Sequence, residues 1–283
     1  LQEVSELNIL FTVDVEDWFC SPDLSLADWE RFPLRLEQPT HQLLDLLDEC
    51  GGTATFFVLG WIAEKRPELI REIRRRGHEI ASHGYSHRRV YEQTPDAFQH
   101  DIKKSKHLLE QLIGAGVHGY RAPCFSMTDW GLNLLEEEGY LYDSSLMPSL
   151  FNSAAFGSDW PTIPPALFRL TERLWELPMP VYRFGGMNIP WAGGGYFRLY
   201  PYRLFQQGAS RLMRKRKDFV FYIHPYDLDN GQPRIFNSSR VNRFRRYYGL
   251  SGTHEKISKL LTRYSSSSIA RYYPHLAGAA EYV

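Results

Sequence analysis

The stretch Phe11-Thr-Val-Asp14-Val-Glu16-Asp17-Trp18-Phe19 constrains this chain more than any other, because an apolar run ends there abruptly in three acids. Leu7 to Val15 is nearly continuous in Leu, Ile, Phe and Val, the composition of a buried strand. Carboxylates crowded at the end of such a strand repel one another and persist chiefly where a cation or a hydrogen-bonding group neutralises them. The sequence offers that partner in His83-Gly-Tyr-Ser-His87, two imidazoles just past the apolar segment Ile80-Ala-Ser. Two histidines with one or two acids are a common ligand set for a divalent metal that keeps an open coordination position.

The strand pattern repeats along the chain. Ala54 to Leu59, His78 to Ser82, Gly119 to Ala122, Tyr140 to Ser144, Leu174 to Leu177 and Asp218 to His224 read as further strands. Between them the apolar spacing predicts helices over Thr40 to Cys50, Trp61 to Arg76, Pro95 to Ile113, Thr128 to Glu138 and Pro201 to Arg216. Thr94 and Thr128 suit N-caps, and Gly51, Gly77 and Gly139 suit helix stops. Asp23 to Gln38, Leu146 to Pro165 and Gly193-Gly-Gly-Tyr-Phe read as irregular segment, long loop and flexible turn. The tail from Leu228 to Val283 holds one expected helix, Thr253 to Tyr264. Strands separated by helices imply parallel pairing, with catalytic groups collected at the strand C-termini. Asp14, Glu16, His83, His87, Arg121 and His224 all fall at or just past such ends.

Composition narrows the function classes. Lys plus Arg and Asp plus Glu both total 33 in 283 residues, so the overall balance calls for neither nucleic acid nor an anionic membrane. The basic runs Arg211 to Lys217 and Arg240 to Arg246 read as solvated helix faces. No apolar run approaches the roughly 20 residues that span a bilayer, and the N-terminal residues lack a signal-peptide pattern. The sequence starts at Leu1, which leaves a removed leader open. Cys20, Cys50 and Cys124 match no disulfide or zinc-finger framework, so reduced thiols in a cytoplasmic protein are expected.

Hydrolysis of an unreactive amide needs a polarised carbonyl, an activated water and a proton for the departing amine. A metal held by His83, His87 and one carboxylate would supply the first two. Strand alternation puts Asp14 and Glu16 on one face, and Asp14 suits the base that takes the water's proton. Arg121, at another strand end, could pair with that base, leaving His224 as general acid.

Thr-Val-Asp14, Ala54-Thr-Phe-Phe-Val-Leu-Gly60, Gly77-His-Glu-Ile-Ala-Ser-His83-Gly-Tyr-Ser-His87, Gly-Tyr-Arg121-Ala-Pro123 and Ile223-His224 together resemble the polysaccharide deacetylases of the NodB-homology, carbohydrate esterase 4 type. The resemblance covers residues 7 to 226. It implies an α/β fold, a distorted (β/α) barrel of about seven parallel strands, with residues 1–226 as the barrel and 227–283 as a C-terminal extension packed on it. It also implies removal of an N-acetyl group from an amino-sugar glycan, with release of acetate and help from zinc or another divalent ion such as cobalt.

Carried over by position, Asp14 resembles the base, His83 and His87 the metal histidines, Arg121 the arginine that orients the base, and His224 the acid. The backbone N–H of Cys124 is placed like the donor that holds the oxyanion. The first motif departs from the family's adjacent aspartates, since Val15 follows Asp14. In an Asp-x-Asp register, which resembles the peptidoglycan-deacetylase-like branch, Glu16 takes the ligand position; Asp17 would do so if the backbone bulged by one residue.

The Asp-Val-Glu-Asp-Trp-Phe opening, the Gly193-Gly-Gly-Tyr-Phe-Arg segment, His224-Pro-Tyr-Asp and the tail through Arg243-Phe-Arg-Arg-Tyr-Tyr-Gly also resemble a subgroup encoded with bacterial exopolysaccharide assembly, which implies a surface-glycan precursor as substrate. Trp18, Phe19, Trp191 and Tyr196 are candidates for stacking on a sugar ring or for the core, and Glu176 for an ordinary ion-pair partner. Two other readings stay open: an amidase on a small cyclic amide, resembling allantoinases, and a glycan-binding or assembly protein that has lost turnover.

Overall fold

The apolar runs pair as parallel strands: β1 (Asn8–Val15), β2 (Thr55–Val58), β3 (Glu79–Ser82), β4 (Gly119–Tyr120) and β5 (Tyr142–Asp143) lie side by side in chain order. This computed structural model describes residues 7–21, 23–148, 166–185, 187–216, 218–234 and 240–278. A short strand β6 (Phe168–Arg169) turns back antiparallel onto β7 (Trp175–Glu176), and β7 continues the parallel run beyond β5. β8 (Val181–Phe184) and β9 (Met187–Pro190) form a separate antiparallel hairpin. β10 (Val220–Ile223) returns to the far side of β1, and β11 (Ser265–Ser267) pairs with the start of β1. The order β10-β1-β2-β3-β4-β5-β7-β6 is a curled, parallel-rich sheet in a mixed α/β fold, a half-barrel; it fits the distorted barrel that the resemblance implies, with an antiparallel β6 and the added strand β11.

The helices are α1 (Leu26–Trp29), α2 (Glu37–Glu49), α3 (Gly60–Lys65), α4 (Pro67–Arg75), α5 (Pro95–Ile113), α6 (Asp129–Glu137), α7 (Gly194–Leu199), α8 (Tyr202–Lys215), α9 (Arg240–Tyr247), α10 (Thr253–Arg263) and α11 (Ile269–Tyr272). Thr94 caps α5 by accepting from Ala97 N, Thr128 caps α6 by accepting from Gly131 N, and Gly114 ends α5 at φ 65°. The expected single helix over 61–76 is two. Pro67 forces Arg66 out of the helical region, to φ −136° and ψ 57°, and the chain turns there from α3 into α4.

Two other expectations change. Asp23 to Gln38 contains α1, fixed by a Ser25/Asp28 capping box, and the first residues of α2. The Gly193-Gly-Gly-Tyr-Phe turn is the start of α7, where Gly193 adopts φ 95° and a side chain on Gly194 would collide with the Asp227 carboxylate. Most of the loop expected at Leu146 to Pro165 lies outside the described residues.

Beneath the C-terminal end of β1, Phe19, Trp29, Phe32 and Trp61 interlock edge-to-face and stacked, with centroids 5.3–6.1 Å apart. Burying each such ring contributes about 1.5–3 kcal/mol. Trp18 joins this cluster through Phe19 and Phe32, 5.5 and 5.0 Å away, and is 7% exposed. At the opposite end of the sheet the tail is tied in by Ile269 N to Thr55 Oγ1 (2.8 Å) and Ala270 N to Glu79 Oε2 (2.9 Å).

Candidate active site

Parallel pairing aligns the ends of β1, β3, β4 and β10, so side chains far apart in sequence meet over one edge of the sheet. They line a cavity of about 210 Å³ that holds Asp14, Glu16, His83, His87, Cys124 and His224. A larger cavity of about 650 Å³ lies between the β8–β9 hairpin and α8, and no acid or histidine lines it. Chemistry, not size, marks the site.

Two buried groups fix the carboxylates. Arg121 is fully buried; its Nη1 donates to Asp14 Oδ1 (2.6 Å) and Thr12 Oγ1 (2.9 Å), while Nε and Nη2 donate to Ser144 O and Oγ (both 3.1 Å). Its guanidinium also sits 4.1 Å from the Phe57 ring centroid. Two residues on from Asp14, Glu16 Oε1 stands 3.0 Å from His83 Nε2 and 2.9 Å from His87 Nε2. Burial pushes the Glu16 pKa up, but His87, His224 and the two imidazole contacts outweigh it and hold the carboxyl well below its ordinary value.

The donor set fits a cation. His83 Nδ1 lies 2.8 Å from Arg121 O, a carbonyl that can only accept, so Nδ1 carries the proton and a neutral His83 aims its Nε2 lone pair at the Glu16 carboxylate. Two acceptors at that distance repel unless a proton or a metal ion lies between them. Single ligand atoms of Glu16, His83 and His87 all fall within 4.8 Å of one another, and all three residues are buried.

The histidine loop is shaped from below by Asp101 on α5, whose carboxylate accepts from Tyr85 N (2.7 Å), Ser86 N (3.1 Å) and Ser86 Oγ. Gly84 turns at φ 74°, where a side chain would press on that carboxylate. Among the described residues the non-glycine positions with left-handed backbone are His87, Cys124 and Phe125, all at φ 54–55° and all lining the cavity. In the 122–126 turn, Phe125 N bonds Ala122 O and Ser126 N bonds Pro123 O, and neither bond uses the amide of Cys124. Burial and the Glu16 charge push the Cys124 thiol up to about 12, although the residue reaches solvent at the cavity mouth; it is no thiolate.

His224 faces the carboxylates from β10, its Nε2 3.9 Å from Asp14 Oδ2. Its Nδ1 is 3.1 Å from Asp227 Oδ2, which also accepts from His224 N (2.9 Å), and Asp227 is ion-paired with buried Arg198. Burial lowers the His224 pKa, and Glu16 and Asp14 offset this only in part. The ring stacks on Tyr226 at 4.5 Å, and the Arg246 guanidinium of α9 lies 5.2 Å from the Tyr226 centroid.

Several residues singled out from the sequence sit elsewhere or behave otherwise. Asp17 does not join the triad: its carboxylate accepts from the amides of Trp18 (2.7 Å), Arg35 (2.6 Å) and Leu36 (3.0 Å), fixing the approach to α2. Trp18 belongs to the aromatic core described above, and Trp191 packs on Tyr200 with centroids 4.7 Å apart; neither lines the cavity. Tyr196 is half-buried against Tyr200 and Arg245, also outside the cavity lining. Among the described residues Glu176 has no salt-bridge partner. It faces Asp143 across the β5–β7 pair, and burial raises both carboxyls, Asp143 to about 6 and Glu176 well above its ordinary value. Asp101, Asp227, Arg198, Tyr226 and Arg246 were missed; only Asp227, three residues past His224 in a capping position, left a local signal.

A family model described as polysaccharide deacetylase matches residues 29–142. Within residues 29–142 the chain carries a polysaccharide deacetylase domain. That match contains His83, His87 and Arg121, whereas Asp14, Glu16 and His224 lie outside it and are joined to it by the fold. A second model, a domain of unknown function (DUF3473), matches residues 144–274. The chain is 36% identical over 107 residues to a peptidoglycan deacetylase-like protein of Gibberella zeae, covering 37% of this chain and 32% of that protein. It is 31% identical over 140 residues to a peptidoglycan deacetylase of Helicobacter pylori, covering 49% of this chain and 47% of that one. It thus spans between a third and a half of the length of these relatives. The crystal structure of a candidate polysaccharide deacetylase from Mycobacterium smegmatis superposes with TM-score 0.64 at 25% identity, covering 95% of this chain and 89% of that one. No helix among the described residues is long and apolar enough to cross a membrane.

Proposed function

We propose that this chain is a metal-dependent hydrolase that removes N-acetyl groups from an amino sugar of a glycan, releasing acetate and a free amine. The observation that carries this reading is the meeting, in one cavity, of the Asp14–Arg121 ion pair, the Glu16/His83/His87 cluster and His224. A pure binding module has no use for a base, its orienting arginine and an acid together. At about 210 Å³ the cavity is smaller than the roughly 300–1,000 Å³ of drug-sized sites, which suits a pendant acetamido group better than a whole sugar ring.

Glu16, His83 and His87 would hold the ion. Zinc, cobalt or a similar divalent metal would supply Lewis acidity toward the acetamide carbonyl and make water acidic enough to attack. Asp14, fixed by Arg121, takes a proton from the attacking water as its oxygen bonds to the carbonyl carbon. The amide of Cys124 donates to the carbonyl oxygen as that oxygen gains charge. His224, held at Nδ1 by Asp227, presents Nε2 to the nitrogen and protonates it as the C–N bond breaks. A lowered imidazole pKa makes its charged form the stronger acid.

On this reading residues 1–226 are the catalytic barrel and 227–283 an extension that completes its wall, as the β11–β1 pairing and the position of Arg246 in the cavity suggest. Its place is cytoplasmic and its substrate a bacterial surface-glycan precursor. The test is acetate release from N-acetylglucosamine oligomers by the wild type and by His83→Ala, whose fold is checked by circular dichroism. Activity confined to the wild type supports the reading. Equal activity in both would reject it.

A further inference from the structure

The neutral total charge hides a segregation. Residues 177–217 contain eight Lys or Arg and no acid, and residues 230–254 contain five and no acid, so the remaining 20 basic residues carry all 33 acids. The exposed members of the first segment are Arg183, Arg203, Arg211, Arg214 and Lys215. Among the described residues, the same two segments hold most of the large apolar side chains left in water: Phe184 (66% exposed), Met187 (50%), Leu204 (48%), Phe244 (56%) and Tyr248 (47%).

A series of ring contacts joins the two segments. Tyr182 of β8 packs on Trp191 (5.2 Å), Trp191 on Tyr200 (4.7 Å) and Tyr200 on Tyr196 (6.3 Å). Arg245 of α9 closes the series, 5.2 Å from the Tyr196 centroid. Phe184 and Leu204 line the 650 Å³ groove between hairpin and α8 together with Arg211 and Arg214, so apolar and cationic groups share one surface. The face reaches the catalytic cavity, because Arg246, next to Arg245, lines it.

We infer that the β8–β9 hairpin, α8 and α9 dock on an anionic phospholipid bilayer, with Phe184, Met187 and Phe244 entering the headgroup region and the arginines pairing with lipid phosphates. A soluble polyanion would satisfy the arginines but gives the exposed Phe and Met no apolar medium to enter. Basic residues ringed with apolar ones match an interfacial membrane surface on both counts. Docked this way, the mouth of the cavity faces glycan carried at the bilayer surface.

The test is co-sedimentation of the full chain with phosphatidylcholine vesicles and with vesicles containing phosphatidylglycerol, at low and high salt. The wild type should bind the phosphatidylglycerol vesicles at least about tenfold more tightly, and lose that preference in high salt. Arg211→Glu/Arg214→Glu and, separately, Phe184→Ser/Met187→Ser should each weaken binding at least about fivefold, with acetate release from soluble oligomers unchanged. No preference for the anionic vesicles overturns the inference. So does binding that depends on the arginines and not on Phe184 and Met187, the mark of a polyanion site. Loss of a dimer in Phe184→Ser/Met187→Ser, with no vesicle binding by the wild type, would assign the face to a second copy of this chain. Vesicle binding is read independently of turnover, so it stands or falls apart from the deacetylase reading.

Discussion

Arg121 Nη1 donates to Asp14 Oδ1 at 2.6 Å in a setting where neither residue exposes more than 2% of its surface. The pair bridges β1 and the end of β4, so the base is positioned by the sheet itself. Arg121→Met leaves a buried carboxylate with no countercharge, and removing one partner of such a pair costs about 3–5 kcal/mol. Urea unfolding should register that loss. Asp14→Asn keeps the volume and most of the hydrogen bonds, so it should unfold near the wild type while acetate release falls by roughly 10²–10⁴.

Glu176 and Asp143 offer a sharper contrast. Burial and the neighbouring Asp143 raise Glu176 well above its ordinary value, so of the two acids it holds a proton to the higher pH, and its Oε1 accepts from Leu146 N at 2.9 Å. Asp143 Oδ1 accepts from Ser145 Oγ (2.6 Å), and Ser145 Oγ from Ala122 N (2.7 Å), at the root of the Cys124 turn. Glu176→Gln reproduces the neutral acid and should preserve both stability and turnover. Glu176→Ala opens a cavity and orphans the Leu146 amide, a loss of about 2–4 kcal/mol. The two variants are compared by thermal unfolding and acetate release.

His78 should set part of the acid limit of stability. It is fully buried, its Nδ1 accepts from Ala54 N at 3.3 Å, and burial lowers its pKa to about 4. Unfolded, it titrates near 6.5, so between those values the unfolded chain binds more protons and stability falls as pH drops. By linkage, about 2 kcal/mol is lost between pH 7 and pH 5. His78→Gln should lose correspondingly less over the same interval, measured as the difference between urea midpoints at the two pH values.

The strands and the chemistry at their ends were legible because both are local: apolar runs of four to eight residues with titratable groups just beyond. The helix break at Arg66 was legible too, in Pro67, and was overridden by a continuous apolar face across Trp61 to Arg76. What stayed hidden depends on tertiary approach. Asp101 lies mid-helix on α5, and nothing in its neighbours says that three donors of the histidine loop converge on it. Arg246 read as a solvated helix face because the return of α9 to the cavity is set by the whole tail. Asp17 and Glu16 are adjacent acids, and only the amides of Arg35 and Leu36, 18 and 19 residues on, separate their roles.

The central claim is that Glu16, with His83 and His87, holds a divalent ion. The measurement that tests it most directly is metal content by elemental analysis of the wild type, Glu16→Ala and Asp17→Ala, purified from zinc-supplemented medium, with acetate release followed on the same samples. Asp17→Ala should be less stable by about 2 kcal/mol, through its lost backbone hydrogen bonds, while keeping the ion. The account predicts roughly one metal per folded chain in the wild type and Asp17→Ala, and little metal and little turnover in Glu16→Ala. A Glu16→Ala protein that keeps its metal, or a wild type that takes up none, would contradict it.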